Sequence, residues 1–411
     1  MAGNVPFASL PRAPIDPMFI LKARADSDKH PDKVDLGVGV YRQGDGGYYE
    51  FPAIKKANRR PQAKAILARR NIGHDYNPTT GIPTFVRLAR QFMFGDSIAS
   101  IQTVAGTGAN RIAAAFLAAH YRSKDNDKAT AYIGTPAWGN YFPLFAHAGL
   151  PTETYRYYNA ATRQVDIDST LQAAEQAPRG SIFVLQACCH NPTGADMTEN
   201  EWKSLGKIIK ERNHLAFFDV AYHGLGAPED AAQDTWPVRH FAARGVNMLV
   251  CQSFSKNMGL YSERVGVLHV VCREEGIAER VQDVLRSLVR WEVSSAPGYG
   301  ARLAEVILED ETLCLEWLGE LASAAGRLVR NRERLYAELT GSLGAPGGWE
   351  HLVRGKGLFS LLGIGEEQVE RLINEFHIYL PPNGRINVAG LNERNVGVVA
   401  RAIDQVVRAD R

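Results

Sequence analysis

The chain has no strong excess of either charge: 47 Lys and Arg residues against 45 Asp and Glu leave a formal net charge of +2 over 411 residues. A charge balance this even gives no global electrostatic footprint for a nucleic acid or an anionic membrane. One local basic stretch, Lys55-Lys56 with Arg59-Arg60 and Arg69-Arg70, is spaced along a predicted helix and reads as a solvated helix face. Long apolar runs are also missing. None reaches the roughly eighteen residues of a membrane-spanning helix, and the N-terminus, punctuated by Pro6, Pro11, Pro14 and Pro17, lacks the apolar stretch of a signal peptide. Cysteine is scarce: five residues, at 188, 189, 251, 272 and 314, form no CxxC pair and no regular framework. Cys188 and Cys189 are adjacent in an apolar strand end, so buried, reduced thiols in a cytoplasmic protein are expected. No second ligand cluster accompanies Cys188-Cys189-His190, and no metal is expected. Internal repeats and low-complexity tracts are absent.

What the chain does have is an ordinary globular composition, 45% apolar and 22% charged, over a length sufficient for a large core and two domains. Its middle alternates short apolar runs with amphipathic segments. Strands are predicted at 129–134, 181–187, 215–219, 247–253 and 265–271, several as continuous apolar runs of the kind that are buried on both faces. Between them Thr198-Glu199-Asn200-Glu201 is a capping box leading Trp202, Leu205, Ile208 and Ile209 along one face of a helix. An alanine-rich helix follows at 111–121, and long helical stretches occupy 301–339. Such alternation predicts a doubly wound α/β sheet, which gathers ligands at the carboxyl ends of its strands. The two ends of the chain, 1–45 and 325–411, read as one smaller α+β domain beside a large domain at 46–324.

Several polar groups fall at strand exits. Lys256, in Ser253-Phe254-Ser255-Lys256, follows a short apolar run, where a poorly solvated amine has a lowered pKa and attacks carbonyls; alternatively it is a loop lysine that caps the strand. Ala105-Gly106-Thr107-Gly108 precedes the alanine-rich helix as a turn open to an anion, or as a plain turn. Ser253 and Arg264 bracket Lys256 and suit the same anion. Asp219 ends an apolar run and needs a cationic partner, either a structural ion pair or a protonated pyridine nitrogen. Tyr222 and Asn191 suit a phenolate oxygen, although the Asn191-Pro192-Thr193-Gly194 run is also plain turn chemistry. Trp138 is either a core residue or a stacking surface, and Arg385, in an apolar setting, is either a surface ion pair or a fork for a carboxylate.

Taken together these motifs resemble the class I pyridoxal-phosphate-dependent aminotransferases of fold type I, in the aspartate and aromatic amino acid subgroup. The resemblance runs from Asp35-Leu36-Gly37-Val38-Gly39-Val40-Tyr41 to Gly384-Arg385-Ile386-Asn387. It implies a large domain with a mostly parallel, seven-stranded sheet flanked by helices, and a small domain that closes over substrate. It further implies pyridoxal 5'-phosphate bound to Lys256, with Asp219 at its ring nitrogen and Asn191 and Tyr222 at its phenolate oxygen. Gly106, Thr107, Ser253 and Arg264 would bind its phosphate, and Trp138 would stack on its ring. Arg385 would clamp the substrate's α-carboxylate near Gly39. The family shares its sites across a homodimer, so Tyr76 is expected at the partner's phosphate and Arg290 at the far carboxylate of a dicarboxylic substrate. The implied activity is amino transfer between an acidic or aromatic L-amino acid and a 2-oxo acid such as 2-oxoglutarate, in a ping-pong cycle. A lyase or decarboxylase on the same fold is the alternative, as is a specialised biosynthetic transaminase with another donor. A non-catalytic binding module is disfavoured, because a binder has no use for the lysine.

The chain departs from the family behind Asp219. Tyr141 and Gln186 stand where histidines are usual, and one of the two is expected to take over the hydrogen bond to Asp219. Tyr76-Asn77-Pro78-Thr79 and Leu380-Pro381-Pro382-Asn383 also differ, which points away from simple aspartate specificity.

Overall fold

The structure is a computed structural model that describes residues 16–59, 75–94, 98–122, 128–272 and 274–409. Pro6, Pro11, Pro14, Arg60, Arg69, Arg70 and His74 lie outside the described residues.

The centre of the chain folds into seven strands: β1 (Ala99–Val104), β2 (Ala131–Thr135), β3 (Thr152–Arg156), β4 (Ile182–Gln186), β5 (Leu215–Val220), β6 (Met248–Ser253) and β7 (Val265–Val271). They lie in the order β1-β7-β6-β5-β4-β2-β3. All pairings are parallel except the two made by β7, which runs antiparallel to both neighbours. Every residue of β5 and β6 is buried, the outcome expected of apolar strands covered by helices on both faces. Because β7 alone is reversed, its beginning lies on the same sheet edge as the ends of β1, β5 and β6, and this edge collects the polar exits described above.

Two strands escaped the sequence reading. β1 carries Ser100, Gln102 and Thr103, all buried, and β3 is an edge strand with a single buried residue. The alanine-rich helix also starts earlier than expected. It spans Ala105–His120, so Ala105-Gly106-Thr107 is its first turn and not a loop before it. The capping box at Thr198 forms as predicted and opens the helix Glu199–Glu211, which buries Trp202, Leu205 and Ile209.

The chain ends meet. Val34–Asp35 pairs in parallel with Ile378–Tyr379, and Phe359–Leu361 pairs antiparallel with Arg385–Asn387. Asn387 N donates to Leu36 O at 2.7 Å, tying the two small sheets together. One continuous helix, Glu311–Ala337, runs across position 324/325 and packs against both sets of elements.

Candidate active site

A cleft opens at the shared edge of β1, β5, β6 and β7, lined among others by Gly106, Thr107, Asn110, Trp138, Asn191, Asp219, Tyr222, Ser253, Ser255, Lys256 and Arg264. On one side is an anion cup. The helix Ala105–His120 has no side-chain cap at its N-terminus, so the N–H groups after Ala105 stay available to an anion, and the helix dipole favours negative charge there. Gly106 is needed for close approach, since a Cβ on it would stand 3.0 Å from the Ser253 Cβ. Arg264 Nη1 donates to Ser255 Oγ at 3.3 Å and to Tyr261 O at 2.8 Å. Ala105 and Arg264, joined by Ala105 N donating to Arg264 O at 3.1 Å, both adopt left-handed backbone, with φ of 57° and 56°. Non-glycine residues take that conformation at a cost of about 1–2 kcal/mol, and such strain collects at functional sites.

Lys256 leaves β6 at the mouth of this cup, its Nζ 5.4 Å from the centre of the Tyr222 ring. Burial holds the amine below its usual pKa, opposed by Asp219 and reinforced by Arg264. An amine so placed spends more time neutral and nucleophilic.

Asp219 is 8% exposed, one residue before the end of β5. Burial pushes its carboxyl up, while a hydrogen bond from Tyr141, the Lys256 charge and Asn110 pull it back down. Tyr141 Oη donates to Asp219 Oδ2 at 2.7 Å. The phenol is itself fully buried and sits edge-on to Trp138, with ring centres 5.2 Å apart. Of the two expected substitutes, then, Tyr141 supports Asp219. Gln186 does not, because its amide is spent on Asn191: Nε2 donates to Asn191 O at 3.0 Å and Oε1 accepts from Asn191 N at 2.9 Å.

Asn191 in turn joins two further groups. Its Nδ2 donates to Tyr222 Oη at 3.4 Å, and its Oδ1 accepts from Arg385 Nη1 at 3.2 Å. Arg385 also donates to Gly37 O at 2.8 Å and lies 4.3 Å over the Phe359 ring, while its Nε is buried without a partner. Burial lowers its pKa, opposed by Tyr222. Gly39 backs onto the same ring, where a Cβ would stand 2.7 Å from Phe359 Cζ.

Tyr76 and Arg290 do not line this cleft. Tyr76 is 86% exposed, and Arg290 is exposed with its guanidinium on Ser294. Cys188 and Cys189 are buried and unbridged, and the fold brings Asp234 within 4.8 Å of both thiols, a neighbour that sequence reading did not foresee. Burial pushes Cys189 up to about 11 and Asp234 up to about 6, so the thiol keeps its proton while the carboxyl, bonded by Gly224 N and Gly226 N, still ionises near neutral pH.

Three contributors went unrecognised in the sequence. Asn110, the one amide on the alanine-rich helix facing the cleft, has its Oδ1 buried without a partner; a polar residue amid alanines was the available signal. Phe359 and the Gly37 carbonyl gave none, since only the fold brings them to Arg385. The donor set fits pyridoxal phosphate: a helix N-terminus with hydroxyls and a guanidinium for a phosphate, an amine for an aldehyde, and a buried carboxylate held by Tyr141 for a protonated ring nitrogen.

A family model for aminotransferases of class I and II matches residues 31–403. The mitochondrial aspartate aminotransferase of Dictyostelium discoideum is 39% identical over 98% of this chain and 93% of its own length. The cytoplasmic aspartate aminotransferase of Gallus gallus is likewise 39% identical, over 99% of each chain. Among solved structures, the aromatic-amino-acid aminotransferase of Burkholderia pseudomallei, covalently bound to pyridoxal phosphate, superposes with a TM-score of 0.91 at 35% identity, covering 98% of this chain and 100% of that one.

Proposed function

The chain belongs to the class I and II aminotransferases, and on that premise we propose that it moves an amino group between an acidic or aromatic L-amino acid and a 2-oxo acid such as 2-oxoglutarate. It is a pyridoxal-phosphate-dependent enzyme. The observation that carries the substrate reading is the single Asn191 amide that joins Arg385 to Tyr222, because it sets a carboxylate fork at a fixed offset from the lysine cleft. The relatives named for aspartate and for aromatic amino acids support the two side-chain classes.

Pyridoxal 5'-phosphate, when bound, supplies an aldehyde for an amine and a ring that draws electrons from the substrate's Cα. The residues of the chain do the rest. Gly106, Thr107, Ser253 and Arg264 hold the phosphate, and Trp138 bounds one ring face. Asp219 keeps a proton on the ring nitrogen, and Tyr222 with Asn191 orients the phenolate oxygen. Arg385 binds the α-carboxylate, which fixes the Cα–H bond relative to the ring. Lys256 would hold the aldehyde through its amine and would move the proton at the substrate's Cα, help typically worth about 10²–10⁴ in rate. The described parts of the chain ends, 16–45 and 325–409, form the small domain that closes over substrate and excludes water. Their pairing through Val34–Asp35 and Ile378–Tyr379 supports treating them as one unit.

The enzyme acts as a homodimer in which Tyr76 and Arg290 serve the partner's site. The exposed large apolar side chains of Tyr76 itself, of Trp291 and Val293 just after Arg290, and of Tyr299 support a face covered by a second copy. A cytoplasmic location follows the cytoplasmic relatives, although a mitochondrial relative is equally similar. Among the described residues no helix is long and apolar enough to cross a membrane.

The test is a half-reaction. Cofactor-loaded protein mixed with single amino acids should lose the lysine-bound cofactor absorbance and yield one equivalent of 2-oxo acid, fastest with acidic or aromatic donors. Release of ammonia or carbon dioxide with the cofactor unchanged would replace this reading with a lyase or decarboxylase. Lys256→Ala should retain the carboxylate and phosphate sites but lose turnover by about 10²–10⁴.

A further inference from the structure

Gln186 ends β4, in register with Asp219 on β5, yet its side chain turns away from that carboxylate. Its amide grips both backbone groups of Asn191, five residues on, with hydrogen bonds of 3.0 and 2.9 Å. The pairing has one chemical sense: Nε2 can only donate and Oε1 can only accept, so only a primary amide of this length satisfies both groups at once. Two bonds to one residue fix its peptide frame, and with it the direction in which the Asn191 side chain points. The neighbouring turn is held separately, by the Asp196 carboxylate accepting from Cys189 N at 2.7 Å and His190 N at 2.9 Å. That carboxylate does not reach Asn191, so the Gln186 clamp is what sets its orientation.

The consequence runs outward from the Asn191 amide. Arg385 has only donors, so Oδ1 must face it, which leaves Nδ2 for Tyr222. Tyr222 Oη therefore accepts from Asn191 and keeps its own proton to give to the cleft. Burial pushes the Tyr222 phenol well above its ordinary value, so that proton stays in place across the working range.

We propose that Gln186 is a positioning residue for the substrate's carboxylate: by clamping the backbone of Asn191 it holds Arg385 and Tyr222 in one fixed relation, so that carboxylate binding is registered against the cofactor's phenolate side. The proposal rests on the reading of Arg385 as the α-carboxylate clamp. It makes the exit of β4 a carboxylate-positioning element, although Gln186 acts on Arg385 only through Asn191.

The test uses the full-length, cofactor-loaded enzyme with two unreactive carboxylates, succinate and 3-phenylpropionate, read by their effect on cofactor absorbance. Gln186→Glu keeps the volume and the acceptor but sets a carboxylate oxygen against the Asn191 carbonyl. Gln186→Ala removes both bonds. Losing one or two buried hydrogen bonds that hold the clamp should raise the dissociation constants about tenfold in each variant. The isosteric Gln186→Glu should be at least as impaired as Gln186→Ala, while apoenzyme affinity for pyridoxal phosphate, which also rests on the phosphate cup and Asp219, falls less than carboxylate affinity does. If Gln186→Glu binds both carboxylates as wild type does, whether or not Gln186→Ala is weakened, the residue serves packing alone and the proposal fails. A wild type that binds succinate but never yields a 2-oxo acid from any amino acid would overturn the transaminase reading and leave this one standing.

Discussion

Around Asp219 every polar partner comes from the large sheet or a helix packed on it: Tyr141 from the helix after β2, Asn110 from the helix after β1, Lys256 from the exit of β6. Around Arg385 the partners come from stretches far apart in the chain: Met18 and Gly37 near the start, Asn191 after β4, and Phe359 near the end. The first half of the cleft is a product of one rigid scaffold. The second exists only while the chain ends are docked against it. Arg385 also remains incompletely satisfied, with an unpartnered Nε and no carboxylate among its bonded neighbours. A half-buried guanidinium of that kind gains most from an incoming planar anion. On the proposed roles, the contrast is a division of labour, in which the scaffold would grip the cofactor and the assembled ends would read the substrate.

The sharpest way to break that division is Arg385→Lys. Lysine keeps the charge but loses the planar fork, so the bond to Gly37 O or the one to Asn191 Oδ1 must go when a carboxylate binds. Carboxylate ligands should weaken about a hundredfold, with apoenzyme affinity for pyridoxal phosphate unchanged. Equal losses on both sides, measured by titrating absorbance, would show that the two halves are not independent.

Acid should reach the carboxylate half through His190, which precedes Asn191. Its ring is buried, stacks on Tyr157 with centres 4.1 Å apart, and shares a 2.9 Å hydrogen bond with Thr193. Burial pulls its pKa down to about 3 from 6.5. A depressed folded-state pKa gives stability that is complete above about pH 6.5 and is lost as pH falls toward the folded value, at up to about 1.4 kcal/mol per unit. Relative to His190→Gln, which does not titrate, wild type should lose about 2 kcal/mol between pH 6.5 and 5. Urea midpoints at the two pH values measure this, and parallel profiles would remove His190 from the account.

The same contrast explains what the sequence made legible. Lys256, Asp219 and Asn191 each follow a local apolar run, so their placement at strand exits could be read from neighbours alone. The first strand could not, because Ser100, Gln102 and Thr103 look exposed. Each is instead satisfied inside, Ser100 by His269 at 2.8 Å, Gln102 by Pro297 O at 2.9 Å, and Thr103 by Ala105 O at 3.0 Å. The anion cup was assigned to a loop because helix propensity begins to show only at the alanines, while the backbone already turns at Ala105. Phe359 and Gly37 were invisible because their relation to Arg385 spans long loops and depends on two small sheets closing.

The smallest effect falls on the half that looks most rigid. Tyr141 stands where the family resemblance led us to expect a histidine, and its phenol, pushed well above 10 by burial and by the Asp219 charge, is a neutral donor at any working pH. Its hydrogen bond is the largest influence holding the Asp219 carboxyl down against burial. Tyr141→Phe removes that one donor, keeps the ring that sits edge-on to Trp138, and leaves Asn110 and Lys256 in place. Asp219 should then protonate more readily and hold a charged ring nitrogen less firmly, weakening apoenzyme affinity for pyridoxal phosphate about tenfold. The sign with pH follows: the deficit should grow as pH falls, because the variant's carboxyl neutralises at a higher pH than that of wild type. Succinate affinity should not move, since the Tyr141 hydroxyl bonds Asp219 while the Arg385 guanidinium bonds Asn191 and Gly37. A Tyr141→Phe variant that loses carboxylate affinity but not cofactor affinity would reverse the assignment of the two halves.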